Sequence, residues 1–186
     1  MKIDHLMTSL DEDIKLIEHK FLDDKITLRL PECLQDANEA DFTENKYPER
    51  MPEILKVSLE HRLTFTLGTA LESLMNIVLK DKSNLSKIER LKISLQLKEK
   101  KASLAVKNYS YGDACMKEVG DNCIAYFDYT SASTQDEEML YSVVYAFFVQ
   151  DDIISGTFSC RLEEKEGWGY LFQNCLDEMI VNNLSM

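Results

Sequence analysis

At 186 residues with 45% hydrophobic and 29% charged residues, the chain has the size and balance of one globular domain with a true core. Its 33 acidic against 21 basic residues give a net charge of −12, a field that repels nucleic acid and anionic membrane surfaces. A protein partner, if there is one, is expected to be basic or to carry an apolar helix.

Near the N-terminus, Ser9 and Glu12 fit a capping box, and Leu10, Ile14, Ile17 and Phe21 share one helical face. The spacing predicts an amphipathic helix over 9–22. This N-terminal extension, residues 1–23, precedes a core at 24–186 within a single domain. Its apolar face is expected to cover its own sheet, a second copy of the chain or a partner.

Lys25-Ile26-Thr27-Leu28-Arg29-Leu30 alternates strictly and reads as a strand with one wet face, ended by Pro31. Residues 31–53 hold all three prolines (Pro31, Pro48, Pro52) and read as a long connection with one helical turn. A second alternating strand, Leu63 to Leu67, stops at Gly68.

From Thr69 to about Lys101 the pattern is helical, broken near 81–84. Leu71, Leu74, Met75, Val78 and Leu79 form a stripe, and Ser86 with Glu89 offers a second capping box. Ile93, Leu95 and Leu97 also alternate, so a strand competes with the helix there.

Four strand-like runs follow: Tyr109 to Glu118, Asn122 to Ser133, Glu138 to Gln150 and Ile153 to Arg161. Polar turns too short for parallel crossovers separate them, which makes neighbours antiparallel. Tyr141 to Val149 is apolar on both faces and is therefore expected at the centre of the sheet. The last predicted element is a helix over 167–182, with Trp168, Leu171, Phe172, Cys175, Leu176, Met179 and Ile180 on one stripe. The expected class is α+β: a three-layer α/β/α sandwich around a mainly antiparallel sheet of about six strands.

The chemistry-bearing residues are sparse. His5, His19 and His61 form no ligand-spaced pair and have no cysteine at zinc spacing. Cys33, Cys115, Cys123, Cys160 and Cys175 are an odd number with no Cys-x-x-Cys pair. With no signal-peptide-like N-terminus and no apolar stretch of membrane-spanning length, they point to free thiols in a reducing, cytoplasmic setting. Cys160 and Cys175 read as small core hydrophobes; Cys115 and Cys123 are the weakly eligible nucleophiles. Gly167-Trp168-Gly169 lacks the third glycine of a phosphate loop and follows acidic residues, so it reads as a helix start with a packed Trp. The acidic pairs Asp23-Asp24, Glu137-Glu138, Asp151-Asp152 and Glu163-Glu164 fall in turns or element ends, where they are solvated. No catalytic, cofactor-binding or metal-binding residue is therefore assigned, and no cofactor is expected. Tyrosines at wet positions, Tyr47, Tyr109, Tyr111 and Tyr129, form the candidate interaction surface.

The series Ile26 to Pro31, Lys46-Tyr47-Pro48 with Pro52, Ile124 to Tyr129 with Leu140-Tyr141, and Gly156 to Cys160 with Trp168 resembles the PsbP-like superfamily. That group includes PsbP, the Ran-binding Mog protein, DcrB and chaperones of type VI secretion effectors. The resemblance is closer to its small uncharacterised bacterial proteins and covers about residues 24–182. It implies the same α/β/α sandwich and no shared enzymatic activity, since its members bind unrelated proteins. The expected function is a non-catalytic protein–protein interaction module, adaptor or chaperone-like, monomeric or weakly dimeric. A small-molecule binder or cryptic enzyme with a tyrosine-lined cleft is the alternative, and an immunity or phage-defence factor a third.

Overall fold

A computed structural model of the chain describes residues 14–37, 54–69, 86, 88–93, 96, 110–119, 122–132, 138–150 and 152–182. The first described element is a strand, β1 (Leu16–Phe21), where the sequence predicts a helix. It pairs antiparallel with β2 (Ile26–Pro31), from Leu16 opposite Pro31 to Phe21 opposite Ile26. The reversal between them uses left-handed backbone at Leu22, Asp23 and Asp24, with φ of 52°, 54° and 61°. Aspartate tolerates that region better than most residues, which places the acidic pair in the turn. The predicted cap at Ser9 and Glu12 lies outside the described residues.

Chain reversal then gives the two-residue β3 (Gln35–Asp36), β4 (Ile54–Ser58) and β5 (Leu63–Thr69). The sequence does not announce β4, because its buried positions are the polar Lys56 and Ser58. The helical stripe from Leu71 to Leu79 and the break at 81–84 lie outside the described residues. Residues 88–93 do form a helix (α1), and the expected capping box holds it. Ser86 Oγ receives the Glu89 amide at 3.3 Å, while the Ser86 amide donates to the Glu89 carboxylate at 2.8 Å. The Ser86 hydroxyl also donates to that carboxylate at 2.8 Å, and this bond first, then the one from the amide, holds the Glu89 carboxyl below its ordinary pKa.

The strand-rich half follows the sequence closely: β6 (Ser110–Tyr111), β7 (Cys115–Val119), β8 (Asn122–Ala132), β9 (Met139–Val149) and β10 (Asp152–Arg161). They complete an eight-stranded antiparallel sheet in the order β3-β4-β5-β10-β9-β8-β6, with β7 also on β8. The sheet thus has eight strands among the described residues, where about six were expected. Every residue from Tyr141 to Val149 is buried, as the run of apolar residues requires of a central strand.

A 3-10 turn (Leu162–Glu164) and a π-helical segment (Lys165–Gly169) lead into α2 (Tyr170–Asp177). The predicted helix to 182 ends early. Glu178 and Met179 donate back to the Asn174 and Leu176 carbonyls, and Ile180–Val181 becomes β11 on β2. Met179 keeps its place in the core while Ile180 turns outward, 56% exposed.

Both faces of the large sheet are covered. One packs against α2 and the three-stranded sheet β1-β2-β11, with Phe65, Tyr145, Phe158 and Phe172 at the centre of the contact. The other carries a smaller cluster, Ala125, Phe127, Val144, Ala146, Phe148 and Ile153, under Leu91 of α1. Arg90 of α1 adds a cation–π contact, 5.0 Å above the Phe148 ring. The layers are thus α/β/α in outline, with a small sheet sharing one outer layer.

Candidate interaction groove

The β7–β8 hairpin lies beside α2. Cys115, Lys117 and Val119 pair with Tyr126, Ile124 and Asn122, so alternate residues of both strands share the helix-facing side. Opposite them, α2 presents Gln173, Asn174 and Asp177, with Leu176 between. The result is a groove of about 70 Å³ lined by Lys117, Val119, Ile124, Tyr126, Gln173, Asn174, Leu176 and Asp177. Sites for small ligands run to several hundred cubic ångströms, so this groove admits the tip of one side chain. Lys117 and Asp177 close one end with an ion pair, both groups remaining partly exposed. The Tyr126 hydroxyl is pushed above its ordinary pKa, by burial first and then by the neighbouring Cys115.

Next to the groove runs a half-buried polar seam. Gln173 donates to the Tyr141 hydroxyl at 3.3 Å, and Lys165 sits 3.7 Å from Asp128 and 4.6 Å above the Tyr141 ring. Burial, then the Asp128 carboxylate, drives the Tyr141 pKa well upward. The Tyr141 ring is pressed against Gly169, at the start of α2.

Other charged groups are also committed. Glu138 accepts from Arg62 and forms an ion pair with Arg161, 3.0 Å from its Nε, and Arg161 approaches Glu163 at 3.8 Å. Lys56 binds Asp36 at 2.7 Å. His61 lies against Trp168, ring centroids 5.2 Å apart, and Trp168 is buried at the start of the helical segment as its sequence context predicts.

The thiols are free. Burial pushes Cys160 up to about 12 and Cys175 to about 11, and it also raises Cys33 and Cys123. A nucleophilic thiolate needs the opposite shift. Cys115 is exposed, its Sγ 3.6 Å from the Asp113 carbonyl. Among the described residues no three His, Cys, Asp or Glu side chains come together as a metal site, and no helix is long and apolar enough to cross a membrane.

Of the expected tyrosine surface, Tyr111 and Tyr129 lie among the described residues. Tyr47 and Tyr109 lie outside the described residues. Tyr111 is in register with Tyr129, and Tyr129 packs against the second core beside Phe127, ring centroids 6.2 Å apart. Tyr126, the tyrosine that lines the groove, packs against the first core, on the opposite face of the sheet. Sequence reasoning missed the groove because its halves, 117–126 and 173–177, meet only through tertiary packing.

No protein-family model matches the sequence, and no curated protein matches it. The fold is nonetheless shared. The chain is similar to cyanobacterial PsbP (CyanoP) from Synechocystis sp. PCC 6803, with a TM-score of 0.60 at 10% identity over 91% of this chain and 94% of that one. It is similar also to the Ran-binding protein Mog1p of Saccharomyces cerevisiae, with a TM-score of 0.50 at 12% identity over 91% and 96% of the two chains. The fold is the PsbP-like one that the sequence resembles.

Proposed function

We propose that this chain is a non-catalytic protein–protein interaction module, adaptor or chaperone-like, that docks a partner protein at the groove between β7–β8 and α2. The observation that carries the reading is the groove itself: mixed polar and apolar, and too small for a metabolite. Two features support it. The titratable groups around the groove are engaged in ion pairs or held protonated, and the shared fold includes a protein named for binding Ran. A net charge of −12 favours a basic partner and disfavours nucleic acid. Five free thiols, two of them in the core, fit work in a reducing, cytoplasmic setting. The chain works as a monomer or weak dimer, and a tyrosine surface around the Tyr111–Tyr129 pair is the second docking face to test.

The test is quantitative capture from native extract by tagged full-length protein. Asn174→Trp places an indole at the groove rim from an exposed helical position, and Glu166→Trp does the same at another exposed site. The expected result is one saturable protein partner, lost roughly tenfold or more with Asn174→Trp and kept with Glu166→Trp. Equal capture by both variants, or a co-purifying metabolite alone, defeats the proposal.

A further inference from the structure

The β1–β2 hairpin meets β4 and β5 through a contact that is part apolar and part charged. Phe21 reaches Phe65, ring centroids 6.0 Å apart, and His19 stacks flat on Phe21 at 5.8 Å and 9°. The His19 Nε2 is closed off from solvent and has no hydrogen-bond partner among the described residues. Lys56 of β4 enters the same layer. Its side chain is only 7% exposed and its ammonium is held by Asp36 of β3, whose own carboxylate is 84% exposed. Charge complementarity is therefore complete only while the imidazole is neutral.

The two strands of the hairpin are anchored unequally. Ile26, Leu28 and Leu30 of β2 are almost fully buried, whereas Phe21 is the single buried residue of β1. Leu16 touches the core only partly buried, and outward-facing Glu18 and Lys20 add no hold on it.

The geometry points to an acid-released strand: protonation of His19 sets a second cation beside buried Lys56, and β1 detaches while β2 stays in the core. The charges acting on the His19 ring from the packed elements are Lys56 of β4 and Asp36 of β3, and its register partner on β2 is the apolar Leu28. Asp36 is already spent on Lys56, so it offsets one cation and not two.

The sign follows from the protonation balance. Burial first, then Lys56, lowers the His19 pKa below 6.5, against the opposing pull of Asp36. A detached β1 binds the proton more readily than a docked one. The docked strand is therefore fully favoured above about pH 6.5 and loses ground as pH falls through the folded pKa. Each unit of depression is worth about tenfold in the opening equilibrium at the acid end.

The experiment is hydrogen exchange of the full chain between about pH 7.5 and about pH 5, corrected for intrinsic rates, on wild type, His19→Gln and Lys56→Gln. In wild type, β1 amides are expected to lose protection severalfold relative to β5 and β9. His19→Gln abolishes that dependence, and Lys56→Gln weakens it. A parallel loss across β1, β5 and β9, or an equal loss in His19→Gln, overturns the proposal. Should a variant fail to fold, the NMR titration of His19 in wild type decides. A midpoint below 6.5 that coincides with β1 release supports it, and a midpoint at or above 6.5 overturns it.

Discussion

Replacing Gly156 by alanine is expected to cost about 3 kcal/mol or more, one of the two largest single-residue effects in the chain. Gly156 sits in β10 between Leu67 of β5 and Tyr145 of β9. A Cβ there falls 1.9 Å from the Thr66 carbonyl oxygen and 2.3 Å from the Tyr145 hydroxyl. That crowding has a specific origin. The Tyr145 phenol lies across the glycine to donate a 2.6 Å hydrogen bond to the Thr66 carbonyl. Thr66 Oγ1 in turn receives the Thr157 amide at 2.9 Å. The bare glycine lets a fully buried phenol satisfy itself inside the ladder, and burial drives its pKa far upward. Neither the strand backbone nor the phenol has anywhere to move. For a chain of this size the expected loss is roughly 6–12 °C in Tm. A Tm within about 2 °C of wild type would mean that the phenol does not occupy that space.

Phe172→Ala is expected to cost about 3–5 kcal/mol. Phe172 is the residue through which α2 grips the large sheet. Its ring stacks on Phe158 at 4.4 Å and 7°, and touches Tyr145 at 5.5 Å and Phe65 at 6.0 Å. Truncation removes the burial and leaves a cavity between three rings that are themselves fixed by the strands. Phe172→Leu keeps much of the volume and is expected to cost less than about 1.5 kcal/mol. Tyr170→Ala, on the same helix but half-exposed, stays within about 0.5 kcal/mol. Urea denaturation of the three variants separates packing from helix propensity. Equal losses at positions 170 and 172 would contradict this packing.

Much of the architecture is legible in the sequence, for reasons that also explain the failures. Tyr141 to Val149 is apolar on both faces, with Ser142 its one polar residue, and only a strand covered on both sides tolerates that. Ser86 and Glu89 sit three apart, the spacing a capping box requires. The helix expected at 9–22 fails over 16–21 because Ile17 and Phe21 are four apart. Four residues return a side chain to the same face of a helix and of a strand alike. His19, between them and on the same inward face, is the residue that distinguishes the two periods. A polar ring there did not advertise burial.

The same ambiguity extends the final helix too far. Ile180 stands four after Leu176 and continues the stripe, yet the chain has already turned to pair with β2. β4 was hidden for the opposite reason, since Lys56 and Ser58 occupy its inward positions. A cation neutralised by Asp36 is invisible to a pattern that scores polarity residue by residue. The groove is harder still. Lys117, Tyr126, Gln173 and Asp177 carry no local motif, and only the docking of α2 beside β7–β8 assembles them.

On the proposed function, the face formed by β7, β8 and α2 engages another protein. Hydrogen-exchange footprinting of the full chain, free and bound to the captured partner, tests it most directly. Slowed exchange is expected in Cys115–Val119, in β8 around Ile124 to Tyr126, and in α2, with β1 and β4 unchanged. Slowed exchange on the opposite face, around Phe127, Tyr129 and residues 88–93, with the groove unaffected, would contradict it.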